Sequence, residues 1–254
     1  MSGARRALLP LALVLAGVGA WQLAAEWDLL ADALSVEPFL IPAPSEVAEA
    51  LWTDRELLLE DGWVTLQEVV LGFGVALVAG LAFAALLHLS ETLRRAFYPL
   101  LVASQTVPII VVAPILVVWF GFGIGPKLAI IGLICFFPIT VNTLDGLRSV
   151  DPALIKLMRT LDATRAGIFI RAEAPSALPF AFSGAKIAIA VAVIGAVFGE
   201  WAGSTAGLGH LMLQASAQLQ TARLFAAVVV LSIFAVGLFA LLSLVERRVA
   251  WWER

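Results

Sequence analysis

Residues that carry enzyme chemistry are scarce in this chain of 254 residues. It contains one cysteine, Cys135, and two histidines, His88 and His210. A single cysteine excludes an intrachain disulfide framework, and Cys135 lies in an apolar run, as a small buried residue would. No HExxH, GxSxG or Walker A sequence occurs. We therefore expect neither a metal ion nor another cofactor, and no ATP binding by that route.

Charge is also scarce. Only 14% of residues are charged, against about a quarter in ordinary soluble domains, and 61% are hydrophobic, with a mean hydropathy of +0.99. Apolar runs long enough to cross a bilayer recur along the chain, which predicts an all-α, polytopic membrane protein. The net charge is −3 and no basic block occurs, so a nucleic-acid partner is not expected.

The apolar runs predict six spans, at about 7–25, 65–87, 99–120, 127–147, 177–199 and 223–245. The first run follows Arg5 and Arg6 and is long for a signal peptide, so we interpret it as an uncleaved span. Residues 1–61 then form this span plus an external amphipathic segment, and residues 62–254 form a core of five spans. A disordered external segment is the alternative, but its Leu and Trp content argues against it.

The charged residues outside the spans predict the orientation. The predicted inner segments carry twelve basic residues, which are Arg5, Arg6, Arg94, Arg95, Arg148, Lys156, Arg159, Arg165, Arg171, Arg247, Arg248 and Arg254. The outer segments carry three: Arg55, Lys127 and Arg223. This bias predicts cytoplasmic termini in the cell membrane. The external segment Glu26–Asp61 is acidic, with ten acidic residues and one basic residue.

Two spans carry small residues at every fourth position. The stripes are Gly72, Ala76, Gly80 and Ala84 in the second span, and Gly184, Ala188, Ala192 and Ala196 in the fifth. Small residues let helices approach closely in a bilayer, and this spacing suits crossing helices. Gly72, Gly80, Gly184, Ala188 and Ala192 are therefore candidate helix-packing residues. Lys186, beside the second stripe, is expected to snorkel toward the headgroups.

Polar groups at membrane depth are the candidates for a translocation path. Pro108 and Pro114 interrupt the predicted third span and free backbone carbonyls, which are tolerated where protein or water reaches them. This predicts either a cavity lining or a simple packing kink. Intramembrane polar side chains likewise indicate either a pathway or helix-packing hydrogen bonds. The candidate path residues are Gln105, Thr106, Pro108, Trp119, Asn142, Glu200 and Trp201. His88 ends the second span and is expected to be a surface residue.

The stretch Asp151–Pro179 is the longest polar interruption in the second half of the chain, and it carries a positive excess. Leu154, Leu157, Met158 and Leu161 recur at helical spacing, which predicts a short helix with one apolar face. Such a helix outside the bilayer would be either a docking surface for a soluble partner or an amphipathic connector lying on headgroups.

Several runs resemble the permeases of ABC importers, in the branch for nitrate, sulfonates, taurine and thiamine precursors. The runs are Pro108–Pro114, Trp119–Gly123, Phe137–Thr143 and Gly146–Pro152, and the resemblance extends from about Pro42 onward. It implies a membrane subunit that acts as a homodimer with two ATPase subunits and an extracytoplasmic solute-binding protein. An ion channel or a polytopic membrane enzyme is the alternative from another class.

The resemblance also implies an ATPase-coupling segment. In the family, a Glu-Ala-Ala motif in the loop after the fourth span docks on the ATPase. Lys156, Leu157 and Met158 stand at that motif here, Asp162 stands at its Gly, and Ala174-Pro175 replaces Leu-Pro. Asp tolerates the left-handed backbone that this Gly usually provides. The implied coupling residues are Lys156, Leu157, Met158, Arg159, Thr160, Leu161, Asp162, Ala163 and Pro175.

The last third of the chain resembles pyrimidine or thiamine-precursor permeases through runs such as Gly199–Trp201 and Gly207–Gly209. This resemblance implies a pyrimidine or a thiamine precursor as the substrate. An anion path would need compensating cations, but apart from Lys127 and Arg223 at the outer ends of spans, Lys186 alone lies inside a predicted span. Aromatic and amide side chains suit a neutral, flat heterocycle. The alternative substrates are taurine, an alkanesulfonate or nitrate.

Overall fold

The computed structural model describes residues 3–250, with side chains from residue 12 onward. This part of the chain is all-helical and contains no strand. Its α-helices are α1 Gly3–Glu26, α2 Leu29–Leu34, α3 Pro44–Thr53, α4 Arg55–Leu89, α5 Glu91–Ser104, α6 Ile109–Phe120, α7 Ile124–Leu147, α8 Pro152–Thr160, α9 Arg165–Ile168, α10 Ala174–Gly203, α11 Leu208–Ala217 and α12 Thr221–Val249. A 3₁₀ turn, Pro38–Leu40, precedes α3, and a π-helical turn, Phe169–Glu173, joins α9 to α10.

Helix α7 lies at the centre, and the small-residue stripe of α4 packs on one side of it. A Cβ atom added at Gly72 would lie 2.7 Å from Cβ of Ile131, and one added at Gly80 would lie 2.8 Å from Cγ2 of Ile139. No larger side chain fits at these two positions without displacing α7. Both residue numbers rise together along the contact, so α4 and α7 run in the same direction.

The stripe of α10 packs on α7 in the opposite direction. A Cβ atom at Gly184 would lie 2.5 Å from the carbonyl oxygen of Pro138, and one at Gly199 would lie 3.3 Å from Cα of Lys127. Ala188 and Ala192 between them are fully buried. The two stripes therefore bring three long helices together with backbone-to-side-chain contact.

The predicted span at 99–120, with its interruption at Pro108, is broken in the structure into α5 and α6, whose axes differ in direction by 102°. Pro108 cannot donate to a helix and disfavours helical backbone at Val107. The hydroxyl of Thr106 donates to the carbonyl of Ala103, 2.8 Å away, and so turns the chain back on itself. Because α4 and α7 run in the same direction, α5 and α6 together provide the return crossing.

Within the described residues, four helical segments are long and apolar enough to span a membrane, and the bent pair makes a fifth. The predicted first span falls on α1, whose described apolar part, Ala12–Glu26, is shorter. The six-span count thus stays a prediction. Helix α4 begins at Arg55, so the predicted domain boundary at residue 61 falls inside a continuous helix.

Helix α12 closes the bundle against α10 and α4. At one end Arg223 makes two hydrogen bonds to Asp54, at 2.7 and 2.9 Å. At the other end Nζ of Lys186 lies 2.6 Å from Oε2 of Glu246. The sequence does not predict this pairing of Lys186 with a carboxylate on the neighbouring helix, and its snorkelling toward the headgroups stays a prediction. We call these ends the α11 end and the α8 end of the bundle.

Candidate functional site

The break between α5 and α6 opens a cavity of about 500 Å³. Its lining includes Ser104, Gln105 and Pro108 from the break, with Leu133 and Ile134 of α7 opposite. Two predicted path residues, Gln105 and Pro108, thus line one cavity. Its polar side chains are a hydroxyl and an amide, so it offers hydrogen bonds without charge.

Trp119 lies at the far end of α6 from this cavity. Together with Phe120 it borders a second, almost wholly apolar cavity of about 530 Å³ between α4, α6 and α7. Trp119, like Gln105 and Thr106 at the break, is exposed on the surface of the single chain. The two cavities adjoin, because Leu133 of α7 lines both of them.

Glu200 is buried, with 1% of its surface exposed, and its carboxylate is occupied by hydrogen bonds. It accepts the hydroxyl of Thr65 at 2.6 Å and the backbone N–H groups of Gly209 and His210 at 2.5 and 3.2 Å. A carboxylate that accepts the first amides of α11 caps that helix and offsets its dipole. The structure therefore places Glu200 in helix packing, away from the cavity at the break.

The same end of the bundle holds a buried ion pair. Nζ of Lys127 on α7 lies 2.5 Å from Oε1 of Glu68 on α4 and 2.6 Å from the hydroxyl of Ser204 after α10. Asp61 lies two turns before Glu68 on the same face of α4, and its carboxylate accepts the N–H of Gly207 at 2.7 Å. This network joins four elements at the α11 end.

Sequence reasoning missed this network. The sequence places Lys127 on the outer side of the membrane but gives no sign that it is buried, with only 6% of it exposed. The spacing of Asp61, Thr65 and Glu68, at i, i+4 and i+7, places them on one helical face and is the signal that could have revealed it.

The other predicted path residues take part in packing contacts. The side-chain amide of Asn142 donates to the carbonyl of Pro138 at 2.7 Å, where Gly184 crosses α7. The indole N–H of Trp201 donates to the carbonyl of Gly209 at 2.9 Å. The structure thus brings Gln105 and Pro108 together at the break, and it brings Glu200 and Trp201 together at Gly209. Trp119 and Asn142 lie apart from both groups.

Helix α8 is exposed at the opposite end of the bundle, with both of its ends capped. The carboxylate of Asp151 accepts the N–H of Ala153 at 2.7 Å. At the other end Asp162 adopts φ 57°, and the N–H of Ala163 donates to the carbonyl of Met158 at 3.0 Å. This is a Schellman ending, with Asp162 in the left-handed conformation expected for the Gly of the family motif.

The predicted coupling residues lie on different faces of α8 and its cap. Leu154, Leu157 and Leu161 are exposed, Leu161 most of all at 73%. Met158, Leu161, Asp162 and Ala163 border a groove of about 410 Å³ with Arg171. The hydroxyl of Thr160 donates to the carbonyl of Leu157 at 2.7 Å, and Pro175 is half-buried at the start of α10. Lys156 and Arg159 instead face a separate cleft toward the bundle.

Glu173, the last residue of the π-helical turn, anchors this segment to α4. Its carboxylate accepts two hydrogen bonds of 2.6 Å from Arg165 and lies 2.9 Å from Nε2 of His88. The side chains of His88 and Glu173 are 10% and 7% exposed, so the expectation of a surface histidine is wrong. π-Helical turns of this kind are frequent at functional sites.

A second ion-pair cluster lies beside it, where α5 begins. Glu91 accepts hydrogen bonds from Arg94 and Arg95, at 2.5 to 2.9 Å. These bonds lower the pKa of Glu91 to about 2, and the bond from Arg94 has the largest effect. Glu91 therefore stays ionised at neutral pH and compensates the two arginines.

A helical bundle with a broken crossing, an uncharged cavity at the break and an exposed amphipathic helix between two spans defines a polytopic membrane transport subunit. The chain belongs to the family of binding-protein-dependent transport system inner membrane components, whose model matches residues 76–251. Its members are permease subunits and not enzymes, so the chain's role is transport.

Curated relatives match nearly the whole chain. It is 37% identical to an ABC transporter permease protein of Haemophilus influenzae over 89% of this chain and 92% of that protein. It is 37% identical to the formylaminopyrimidine transport permease ThiX of Halalkalibacterium halodurans, over 90% and 91%. The riboflavin transport permease RibX of Chloroflexus aurantiacus is 33% identical, over 85% and 81%. The taurine permease TauC of Escherichia coli is more distant, at 28% over 89% and 85%.

A solved structure has the same fold. A chain of the inward-facing MetNI methionine ABC transporter matches with a TM-score of 0.66 and 21% identity, over 78% of this chain and 96% of that one.

Proposed function

We propose that this chain is the permease of an importer for a small, flat heterocycle of the pyrimidine or thiamine-precursor kind. The observation that carries the substrate class is the 37% identity with a formylaminopyrimidine permease over 90% of the chain. A riboflavin permease follows at 33%, and a taurine permease at 28%. The chain is thus more similar in sequence to relatives named for flat heterocycles than to those named for taurine and for aliphatic sulfonates, at 28% and 27%.

The cavity at the break supports an uncharged substrate. Ser104 and Gln105 supply its polar side chains, and no charged residue lines it. An anion such as taurine's sulfonate, an alkanesulfonate or nitrate would need a cation along the path, because burying an uncompensated charge is costly. Among the described residues, the lysines within the bundle, Lys127 and Lys186, are both paired with carboxylates.

The path would lie between two copies of the chain. Gln105, Thr106 and Trp119 are exposed on the single chain, on the surface onto which both cavities open. A second copy facing this surface would enclose it and shield the substrate from lipid. The homodimer would bind a solute-binding protein at the α11 end, which faces the cell exterior, and both termini would lie in the cytoplasm.

Two ATPase subunits would bind at the α8 end. Leu154, Leu157 and Leu161 form an exposed apolar face on a helix that is rigidly capped and lies outside the long helices. An apolar helix face that fills a groove on a soluble partner is a common recognition mode. ATP hydrolysis by those subunits would move α8 and, through Glu173 and His88, the end of α4.

The substrate class is tested by ligand binding to the solute-binding protein that works with this permease. We expect calorimetry to show tight binding of a formylaminopyrimidine and no binding of taurine, alkanesulfonates or nitrate. The reverse result would overturn the substrate class and leave the family assignment standing. Transport without any associated ATPase would favour a channel instead.

A further inference from the structure

A basic cleft of about 320 Å³ lies between α8 and the ends of the long helices. Lys156 and Arg159 of α8 form one wall, Arg148 after α7 forms another, and His88 and Glu173 lie deeper. These α8 residues are on the face opposite the exposed leucines, so an ATPase that covers the apolar face does not have to fill this cleft.

The positive charge of the cleft is uncompensated. Arg94 and Arg95 are paired with Glu91, and Arg165 and His88 are paired with Glu173. In the part of the chain that the structure describes, Arg148, Lys156 and Arg159 form no ion pair. Three cations therefore line a cleft whose one lining carboxylate, Glu173, is already paired with Arg165 and His88.

The position of the cleft identifies the kind of anion. Helix α4 ends at Leu89, α7 ends at Leu147 and α10 begins at Ala174, so the cleft lies where the apolar helices leave the bilayer. Leu147, Val150 and Ile155 add apolar surface to its wall. Basic pockets between helices at the cytoplasmic surface suit phosphate-bearing headgroups, and the apolar wall suits the first carbons of the acyl chains.

We propose that this cleft binds the phosphate headgroup of an anionic phospholipid. The inference rests on the proposed membrane orientation and adds a lipid requirement to the proposed coupling. A headgroup held by Lys156 and Arg159 on one side and Arg148 on the other fixes α8 relative to the ends of α4 and α7. Anionic lipid then sets the position from which α8 engages the ATPase.

The test uses the full-length protein in mixed vesicles of phosphatidylglycerol and phosphatidylcholine in equal proportion. Native mass spectrometry after extraction counts the retained lipids. We expect the wild type to retain phosphatidylglycerol in preference to phosphatidylcholine. In the combined variant Arg148→Gln, Lys156→Gln, Arg159→Gln, the ratio of retained phosphatidylglycerol to phosphatidylcholine should be about tenfold lower. The matched control is Arg171→Gln, an exposed arginine of the same segment that borders the other groove; it should retain the preference.

The opposing outcomes are distinct. Equal loss in Arg171→Gln would show a general effect of surface charge and overturn the site. Wild type that binds inorganic phosphate yet shows no lipid preference would assign the cleft to free phosphate instead. If the combined variant keeps its lipid but loses the ATPase, the cleft binds acidic residues of that subunit. Leu161→Asp should keep the lipid even where the ATPase is lost. This variant therefore distinguishes a failure of the proposed ATPase docking from a failure of the proposed lipid site.

Discussion

Nζ of Lys127 on α7 lies 2.5 Å from Oε1 of Glu68 on α4, inside the bundle, and both side chains are less than a tenth exposed. The pair joins the two parallel helices at the end where Glu200 caps α11. Removing one partner from a buried ion pair leaves the other charge unpaired in an apolar surrounding, whereas replacing both does not.

Lys127→Met should therefore destabilise the protein by about 3–5 kcal/mol. The double variant Lys127→Met, Glu68→Leu should recover most of that loss, since no unpaired charge remains. Thermal unfolding in detergent, followed by size-exclusion chromatography, measures both variants. A double variant that is as unstable as the sum of its single changes would contradict a pairwise contact.

Gly184→Leu should disrupt the crossing of α7 and α10. Its new side chain would meet the carbonyl of Pro138 and Cβ of Asn142 within 3 Å of the first added carbon. Overpacking of this kind costs about 1–3 kcal/mol or more and shifts the backbone. The matched control is Ala190→Leu, at an exposed position of the same helix. Equal expression, dimer yield and unfolding temperature in the two variants would contradict the tight crossing.

Asp162→Gly should be tolerated, and Asp162→Val should not. At φ 57° glycine carries no steric penalty, whereas a β-branched residue costs about 1–2 kcal/mol in the left-handed region. The valine variant should fray the end of α8 and lower transport-coupled ATP hydrolysis, with normal membrane insertion. Coupled hydrolysis that is the same in both variants would show that this ending of α8 is not needed.

Glu173→Gln should weaken coupling more than it weakens folding. The amide keeps the shape of the side chain but loses the charge that holds Arg165 and His88. We expect transport per ATP hydrolysed to fall by about fivefold, in the range for residues that connect two sites. The control is Glu91→Gln, which removes an exposed carboxylate with two arginine partners beside the same end of α4. A matching fall in both variants would assign the effect to general loss of charge.

Helix packing was the part of the structure most open to prediction from sequence. The stripes at Gly72 and Gly184 mark close contact because small residues at fixed spacing have few other uses in a membrane helix. The conformation of Asp162 was also predictable, since the family motif places Gly there.

The broken crossing and the buried charges could not be predicted in the same way. Hydropathy is the same whether α5 and α6 form one helix or two, so the 102° bend depends on what packs around Pro108. Lys186 and Glu246 are 60 residues apart, and only the fold shows that they meet. The sequence likewise predicts Glu200 as a pathway residue, because its partner Thr65 on α4 is 135 residues away along the chain.

The most direct test of the account is whether the apolar face of α8 binds the ATPase. Leu161→Asp would place a charge in the contact. The matched control is Pro152→Asp, which adds the same charge at the first position of α8, on the side of the cleft opposite the exposed leucines and favourable to the helix dipole. Co-purification of the ATPase with each full-length variant measures docking. We expect Leu161→Asp to insert normally and lose the ATPase, and Pro152→Asp to retain it. Full retention of the ATPase and unchanged coupled hydrolysis in Leu161→Asp would contradict docking through this face.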